Sequence, residues 1–378
     1  MSKRTPTSGL PAAATRPSLR CSVFALMVFA AASGVVAQDA PKPKKLIEWG
    51  WDEPNTRFMR ENVEKIEQMP FDGLIFHVDS SKGGSLVWEM WGSRRFEFSE
   101  FQQAIDDLKA TPFRRLTDRF LRVNVTPGNV DWFDDQAWSV VLQNFTVAAQ
   151  VAKQGGCKGF MSDVEQYNDQ LFQYAKQKHR ESKSFADYQA KVRQRGQEWM
   201  KAVNGQFPDI TILLTFGYSI TGGAAKDRAE ASYGLLADFL DGMLDACPPQ
   251  TRIVDAWEGA YTYKKQEQFQ RAYDTIKVKS AEWTAVPEKY RRQVEAGFGI
   301  WMDCNWRGVG WHVDDLSKNH FTPEEFEASV RSALQTSDQY VWIYTEQPRW
   351  WTNEKLPAAY IEALEKAHRE PNAAEKTN

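Results

Sequence analysis

The chain has 378 residues, of which 42% are hydrophobic and 26% charged, and its formal net charge at pH 7 is -3. This length and hydrophobic content are enough to bury a full core, so the composition excludes a disordered protein. A slightly acidic balance without a basic run argues against nucleic acid as a partner.

The first 37 residues have the charge and hydropathy order of a secretory signal peptide. Basic residues without any acidic residue precede an apolar run over 23–32, and Val35 and Ala37 occupy the small positions before a cleavage site. We therefore expect cleavage after Ala37 and a short linker over 38–45. The mature chain is predicted to be secreted or periplasmic and to contain no transmembrane segment, because no other apolar run is long enough.

The cysteine and histidine patterns indicate neither a disulfide framework nor a zinc motif. Once the leader is removed, Cys157, Cys247 and Cys304 remain, an odd number at unrelated spacing. The chain has 5 histidines, and neither H-E-x-x-H nor H-x-H occurs. The sequence therefore predicts no metal and no cofactor, and it does not indicate an oligomeric state.

Strand-like and helix-like patterns alternate eight times along the rest of the chain. The predicted strands cover 46–51, 73–78, 120–125, 158–167, 210–216, 252–257, 298–302 and 340–344. The fourth range includes the residues that follow the strand at its C-terminal end. The predicted helices that follow them cover 58–68, 99–108, 136–153, 185–203, 233–244, 266–277, 322–334 and 358–368.

Eight alternating units in one chain are typical of an α/β fold of the (β/α)8 TIM barrel type. A doubly wound sheet fits less well, because the G-x-G-x-x-G fingerprint is missing. We expect a single catalytic barrel over 46–370, with long loops at its C-terminal face after strands two, five and seven. A disordered tail is predicted over 371–378.

The fourth predicted strand ends in two carboxylates. Side chains alternate along a strand, so Met161, Asp163 and Glu165 should share one face. Two acids that point the same way raise each other's pKa unless a cation intervenes, which prepares one of them as a general acid. We predict Glu165 as the general acid and Asp163 as an orienting or stabilising group. The competing explanation is a helix cap or a surface ion pair.

Acidic and aromatic residues recur at the other strand ends, where barrels of this type carry their active sites. Glu258, after strand six, is the alternate second catalytic carboxylate. The residues predicted to bind substrate are Trp51, Asp52, His77, Asp79, Tyr167, Tyr218, Trp257, Asp303, Trp306, Trp311 and Glu346. Paired carboxylates among tryptophans are suited to glycoside hydrolysis, so we expect hydrolysis of a poly- or oligosaccharide.

The D-x-E of strand four resembles the motif of the chitinases and endo-β-N-acetylglucosaminidases among barrel glycosidases. Their pattern D-G-x-D-x-D-x-E would fall on residues 158–165, where Gly159, Asp163 and Glu165 agree. Lys158 and Met161 replace the first two Asp residues. The resemblance implies that Glu165 is the general acid and that Asp163 orients a substrate acetamide.

Two other functions remain open at the level of sequence. His77 and Asp79 share a face of strand two and, with Glu165, Glu258 or Asp303, could form the metal site of a sugar isomerase. The alternative is a carbohydrate-binding barrel that keeps the tryptophans but has lost catalysis. Core packing is the competing explanation for the tryptophans themselves.

Overall fold

The computed structural model describes residues 42–223, 228–306 and 308–374. The predicted signal peptide, the first part of the linker and residues 375–378 lie outside the described residues. Within the described ranges, no helix is both long enough and apolar enough to cross a membrane.

In the described part of the chain, one parallel sheet forms the centre of the molecule. Its strands are β1 Lys45–Gly50, β2 Gly73–Phe76, β3 Asp118–Asn124, β4 Gly159–Asp163, β5 Thr211–Leu214, β6 Arg252–Asp255, β7 Val294–Ala296, β8 Phe298–Trp301 and β9 Tyr340–Thr345. Their order in the sheet is β7-β6-β5-β4-β3-β2-β1-β9-β8.

The sheet has nine strands instead of eight because the seventh strand of the barrel is interrupted at Gly297, which divides it into β7 and β8. Its first half, β7, pairs with β6, and its second half, β8, pairs with β9. The amide of Gly297 still donates to the carbonyl of Asp255 at 2.9 Å. When β7 and β8 are counted as one strand, the sheet is a closed barrel of eight parallel strands, and the predicted (β/α)8 fold is confirmed.

The helices cover the outside of the sheet. They are α1 Thr56–Ile66, α2 Gln102–Ala110, α3 Asp135–Gln154, α4 Phe185–Gln206, α5 Leu236–Ala246, α6 Gln266–Asp274, α7 Ser280–Trp283, α8 Pro287–Gln293, α9 Pro323–Thr336 and α10 Ala358–Ala374. A capping box of Thr322 and Glu325, with Pro323 between them, begins α9. The sequence did not predict α7 or α8, and α10 continues into the segment predicted as a disordered tail.

The sheet separates two apolar clusters, one inside the barrel and one between the strands and the helices. The side chains inside the barrel are Ile47, Trp49, Ile75, Phe120, Met161, Leu213, Val254, Ala256, Tyr340 and Trp342. Phe160, the neighbour of Met161, belongs instead to the cluster under the helices. Gly299 leaves room for the Trp342 ring, because a Cβ atom there would lie 2.3 Å from it. Because these side chains fill the interior of the barrel, the open cavity lies at the C-terminal ends of the strands.

Candidate active site

The mouth of the barrel forms a cleft of about 540 Å³. Three carboxylate side chains line it, Glu165 after β4, Glu258 after β6 and Glu346 after β9. Among the described residues that line the cleft, one is basic, Arg122 of β3. The cleft thus lies where barrels of this type carry their active sites, and it is acidic.

Aromatic side chains make up most of the remaining cleft wall. They are Trp49, Trp51, Trp88, Tyr167, Tyr261, Trp301 and Tyr344. Trp51 is 66% exposed, and Trp88 and Tyr167 are each 49% exposed. These three rings stand at the rim, where a flat ligand can reach them without displacing core residues.

Glu258 is a carboxyl group of the cleft whose pKa is raised. Burial, together with the charges of Glu165 and Asp163, raises the pKa of Glu258 to about 8. Its backbone amide donates to the carbonyl of Thr215 at 2.8 Å, which fixes the start of the loop to β5. A pKa of about 8 keeps Glu258 protonated at neutral pH, and the acids nearby contribute to this because a second negative charge beside them is unfavourable.

Asp163 lies beneath the cleft and is fully buried. Its Oδ2 accepts from the Tyr167 hydroxyl at 3.0 Å and from Arg122 Nη2 at 3.3 Å, and its Oδ1 accepts from the backbone amide of Glu165 at 3.1 Å. Burial raises the pKa of Asp163 to about 6, although the Arg122 charge acts to lower it. Asp163 is thus placed to hold the segment that carries Glu165.

Arg122 joins Asp163 to a second buried acid, Glu53. Its Nη1 donates to Glu53 Oε2 at 3.1 Å, and Glu53 also accepts from Trp49 Nε1 at 2.9 Å. His77 Nδ1 lies 3.2 Å from the other Glu53 oxygen. Burial acts to raise the pKa of Glu53, but the bond from His77 and the charge of Arg122 outweigh it, so that pKa is lowered. Glu53 belongs to the strand-end acids that the sequence pattern indicates, whereas Arg122 was not among the predicted residues.

Two predicted ligands, Tyr218 and Trp257, are structural residues. The Tyr218 side chain is buried, and its hydroxyl donates to Asp241 Oδ1 at 2.5 Å. The Trp257 ring packs on the outer core, and its Nε1 lies 3.4 Å from the Tyr263 hydroxyl. Both residues follow the end of their strand, and both side chains pack in the core beneath the helices, so neither lines the cleft.

Asp52 and Asp303 fasten the loop that follows β9. Asp52 Oδ2 accepts from the backbone amide of Trp350 at 2.6 Å. Asp303 accepts from the backbone amides of Glu346 at 3.1 Å and Gln347 at 2.8 Å. Both carboxylates bond amides of this loop and neither lines the cleft, so the structure assigns them to loop bracing.

His77 and Asp79 do not line the cleft, and His77 instead pairs in parallel with Asn55 beyond the end of β1. His77 lines a separate hollow of about 370 Å³ beside Glu53, and Asp79 is exposed. Among the described residues, no three His, Cys, Asp or Glu side chains stand together in a way that could hold a metal ion. The metal-dependent isomerase alternative has no set of ligands in this part of the chain.

The two tryptophans predicted on the loop after strand seven have different surroundings. Trp306 is 63% exposed but does not line the cleft. Trp311 Nε1 donates to the carbonyl of Lys355 at 2.8 Å, and its ring centre lies 4.9 Å from that of Tyr360. Trp311 therefore braces its loop against α10. The predicted residues that do meet in the cleft are Trp51, Glu165, Tyr167, Glu258 and Glu346.

No family model and no curated protein matches this chain. Among solved structures, a GH5-4 broad-specificity endoglucanase from Bacteroides salanitronis matches with a TM-score of 0.46 and 10% identity, over 82% of this chain and 86% of its own. A tri-modular endo-β-1,4-glucanase from Bacillus halodurans matches with a TM-score of 0.49 and 10% identity, over 87% and 60%.

A protein of another class also has a similar structure. It is a proposed sugar phosphate isomerase/epimerase from Anabaena variabilis, with a TM-score of 0.45 and 9% identity, over 89% of this chain and 100% of its own. Because these likenesses have TM-scores below 0.5 and at most 10% identity, the barrel is taken from the strand order of this chain and the chemistry from the residues of the cleft.

Proposed function

We propose that this chain is a secreted glycoside hydrolase that cleaves a poly- or oligosaccharide, with Glu258 as general acid and Glu165 as its catalytic partner. The observation that carries the proposal is a carboxyl group whose pKa is raised to about 8 beside a second acid in the same cleft. Glycoside hydrolysis needs one carboxylic acid for the leaving oxygen and one carboxylate at the anomeric carbon. A pKa near 8 keeps the first of these protonated at neutral pH.

The surroundings of the two acids favour this division of roles over the one expected from the sequence. Glu258 has Tyr261 beside it and two acidic neighbours, and no cation contributes to its pKa. On the β4 side, Asp163 is paired with Arg122 and holds the amide of Glu165. Glu258 is thus the better proton donor, and Glu165 is the better group to stabilise or attack the anomeric carbon. Asp163 keeps its predicted role as the orienting group.

The aromatic rim supports a carbohydrate as the substrate. Trp51, Trp88 and Tyr167 are exposed aromatic residues on which the C–H face of a sugar can stack, while the carboxylates of the cleft can accept bonds from hydroxyl groups. Export to the periplasm or the outside is proposed from the signal-peptide pattern over 1–37 alone.

A panel of polysaccharides with product analysis tests the activity, and two substitutions then test the roles. Glu258→Gln should lower the rate on natural glycans by about 10²–10⁴-fold. It should largely spare aryl glycosides whose leaving group needs no proton. Glu165→Gln should lose both activities.

Glu288→Gln, at an exposed position of α8, is the matched control and should keep wild-type rates. Wild-type rates in both cleft variants would exclude this catalytic pair. Binding of glycans without any cleavage by the wild type would support the non-catalytic alternative instead.

A further inference from the structure

The cleft contains a third carboxylate, Glu346, that the proposed chemistry does not use. Glu258 interacts with Tyr261, the Tyr261 and Tyr344 rings are stacked 5.5 Å apart at 15°, and the Tyr344 hydroxyl lies 3.4 Å from Glu346 Oε1. Glu258 and Glu346 are therefore linked to the same stacked tyrosine pair, Glu258 through Tyr261 and Glu346 through Tyr344.

Trp51 lies beside Glu346 and is fixed in place. Its Nε1 donates to the same Tyr344 hydroxyl at 2.8 Å, although 66% of the residue is exposed. A ring that is already held by a hydrogen bond loses little freedom when a ligand stacks on it. Trp51 and Glu346 together thus offer a flat apolar face with a carboxylate at its edge.

In the described part of the chain, no basic side chain lies within salt-bridge distance of the Glu346 carboxylate, and Arg349 Nη1 donates to the backbone carbonyl of Glu346 instead. Burial and the Asp303 charge raise the pKa of Glu346, although the bond from Tyr344 acts to lower it. Asp303 accepts from the backbone amides of Glu346 and Gln347 and from Trp301 Nε1. Arg122 is already occupied by Glu53 and Asp163. A partly buried carboxylate without a counter-charge gains most from a cationic ligand.

We propose that Trp51 and Glu346 form a subsite for a sugar residue that carries a free amine, and that Glu346 is the residue that selects it. The inference rests on the proposed function in so far as the cleft takes a carbohydrate. The sugar ring stacks on Trp51, and its ammonium group donates to Glu346. A neutral sugar leaves the carboxylate unpaired, and a uronic acid is repelled by it.

Three pentasaccharides with the same β-1,4 backbone test this subsite, since they differ only in the group at C2. They are fully deacetylated chitosan pentaose, chitin pentaose and cellopentaose, which carry an amine, an acetamide and a hydroxyl. Binding is measured by calorimetry in low-salt buffer slightly below neutral pH. The full mature chain with Glu258→Gln is used so that cleavage does not consume the ligand.

The amine ligand should bind about tenfold more tightly than the other two, and added salt should reduce this preference. Glu346→Gln should abolish the preference and leave affinity for cellopentaose unchanged. Trp51→Ala should weaken all three ligands alike. Glu354→Gln, exposed in the same loop and outside the cleft, is the control and should keep the preference.

Equal affinity for the three ligands, absence of binding by all of them, or a preference that survives Glu346→Gln would overturn the assignment. These outcomes are separate from the fate of the hydrolase proposal, because binding rather than cleavage is measured. A protein that prefers the amine ligand but cleaves no glycan would keep this subsite and lose the proposed activity.

Discussion

Replacing Glu258 by Gln should change how the stability of the protein depends on pH. The folded state raises the pKa of this carboxyl from its ordinary value of 4.5 to about 8. Between these values the folded protein keeps a proton that the unfolded chain has lost, so the stability of the wild type falls as pH rises through this interval. The Gln variant has no proton to lose at this position, and its stability should not show this fall.

The full pKa shift corresponds to about 5 kcal/mol, at roughly 1.36 kcal/mol per pKa unit. The Glu258 side chain is half-buried rather than fully buried, so solvent screening reduces the effect. We therefore expect about 2–3 kcal/mol. The variant should be close to the wild type near pH 5 and more stable than it by this amount near pH 9, where both folded and unfolded wild type are deprotonated.

Urea unfolding at several pH values between about 5 and 9 measures this difference directly. Glu288→Gln, at an exposed position, controls for the loss of one carboxylate and should give a flat difference from the wild type. A difference between the wild type and Glu258→Gln that does not change with pH would refute burial and acidic neighbours as the source of the shift. The experiment needs no substrate.

Three further changes test the packing described above, each by urea unfolding or melting temperature. Gly299→Ala places a methyl group 2.3 Å from Trp342 and should cost roughly 1–3 kcal/mol, whereas Gly205→Ala, with nothing within 4 Å, should not destabilise. Arg122→Met removes the counter-ion of Asp163 and leaves Glu53 with His77 alone, which should cost roughly 3–5 kcal/mol at neutral pH, so an unchanged midpoint would contradict the ion-pair network. Trp311→Ala should lower the melting temperature and Trp306→Ala should not, and the reverse order would show that the loop is packed differently.

The alternation of strand and helix patterns predicted the barrel, and the acidic and aromatic residues at the strand ends predicted part of the cleft. The alternation of side chains along each strand could have predicted further cleft residues. Inward-facing positions of a strand alternate, and this alternation continues past the last paired residue. Extended in this way, it gives the lining residues Trp51, Arg122, Glu165, Thr215, Glu258, Trp301, Tyr344 and Glu346. Arg122, for example, follows the inward Phe120 by two positions.

The remaining positions depend on loops, where alternation no longer applies. Trp88 comes from the insertion after β2, and Tyr261 follows the short 3-10 turn Glu258–Ala260. His77 has inward parity, but its amide bonds to the carbonyl of Pro54 in an isolated bridge beyond the regular β1–β2 pairing, and its side chain lines a separate hollow. The stops of strands and the paths of loops are set by such long-range bonds, which a local pattern does not contain.

The division of roles between the two proposed catalytic acids follows from the order of the strands. Arg122 is an inward residue of β3, and β3 pairs with β4, so the charge of Arg122 lies beside Asp163 at the end of β4. Glu258 follows β6, whose neighbours in the sheet contribute Thr215 and an aromatic wall instead of a cation. An acid without a counter-charge keeps its proton, so the side of the barrel that lacks a cation favours the proton donor. Two similar acids at strand ends can therefore be given different roles once their neighbours in the sheet are known.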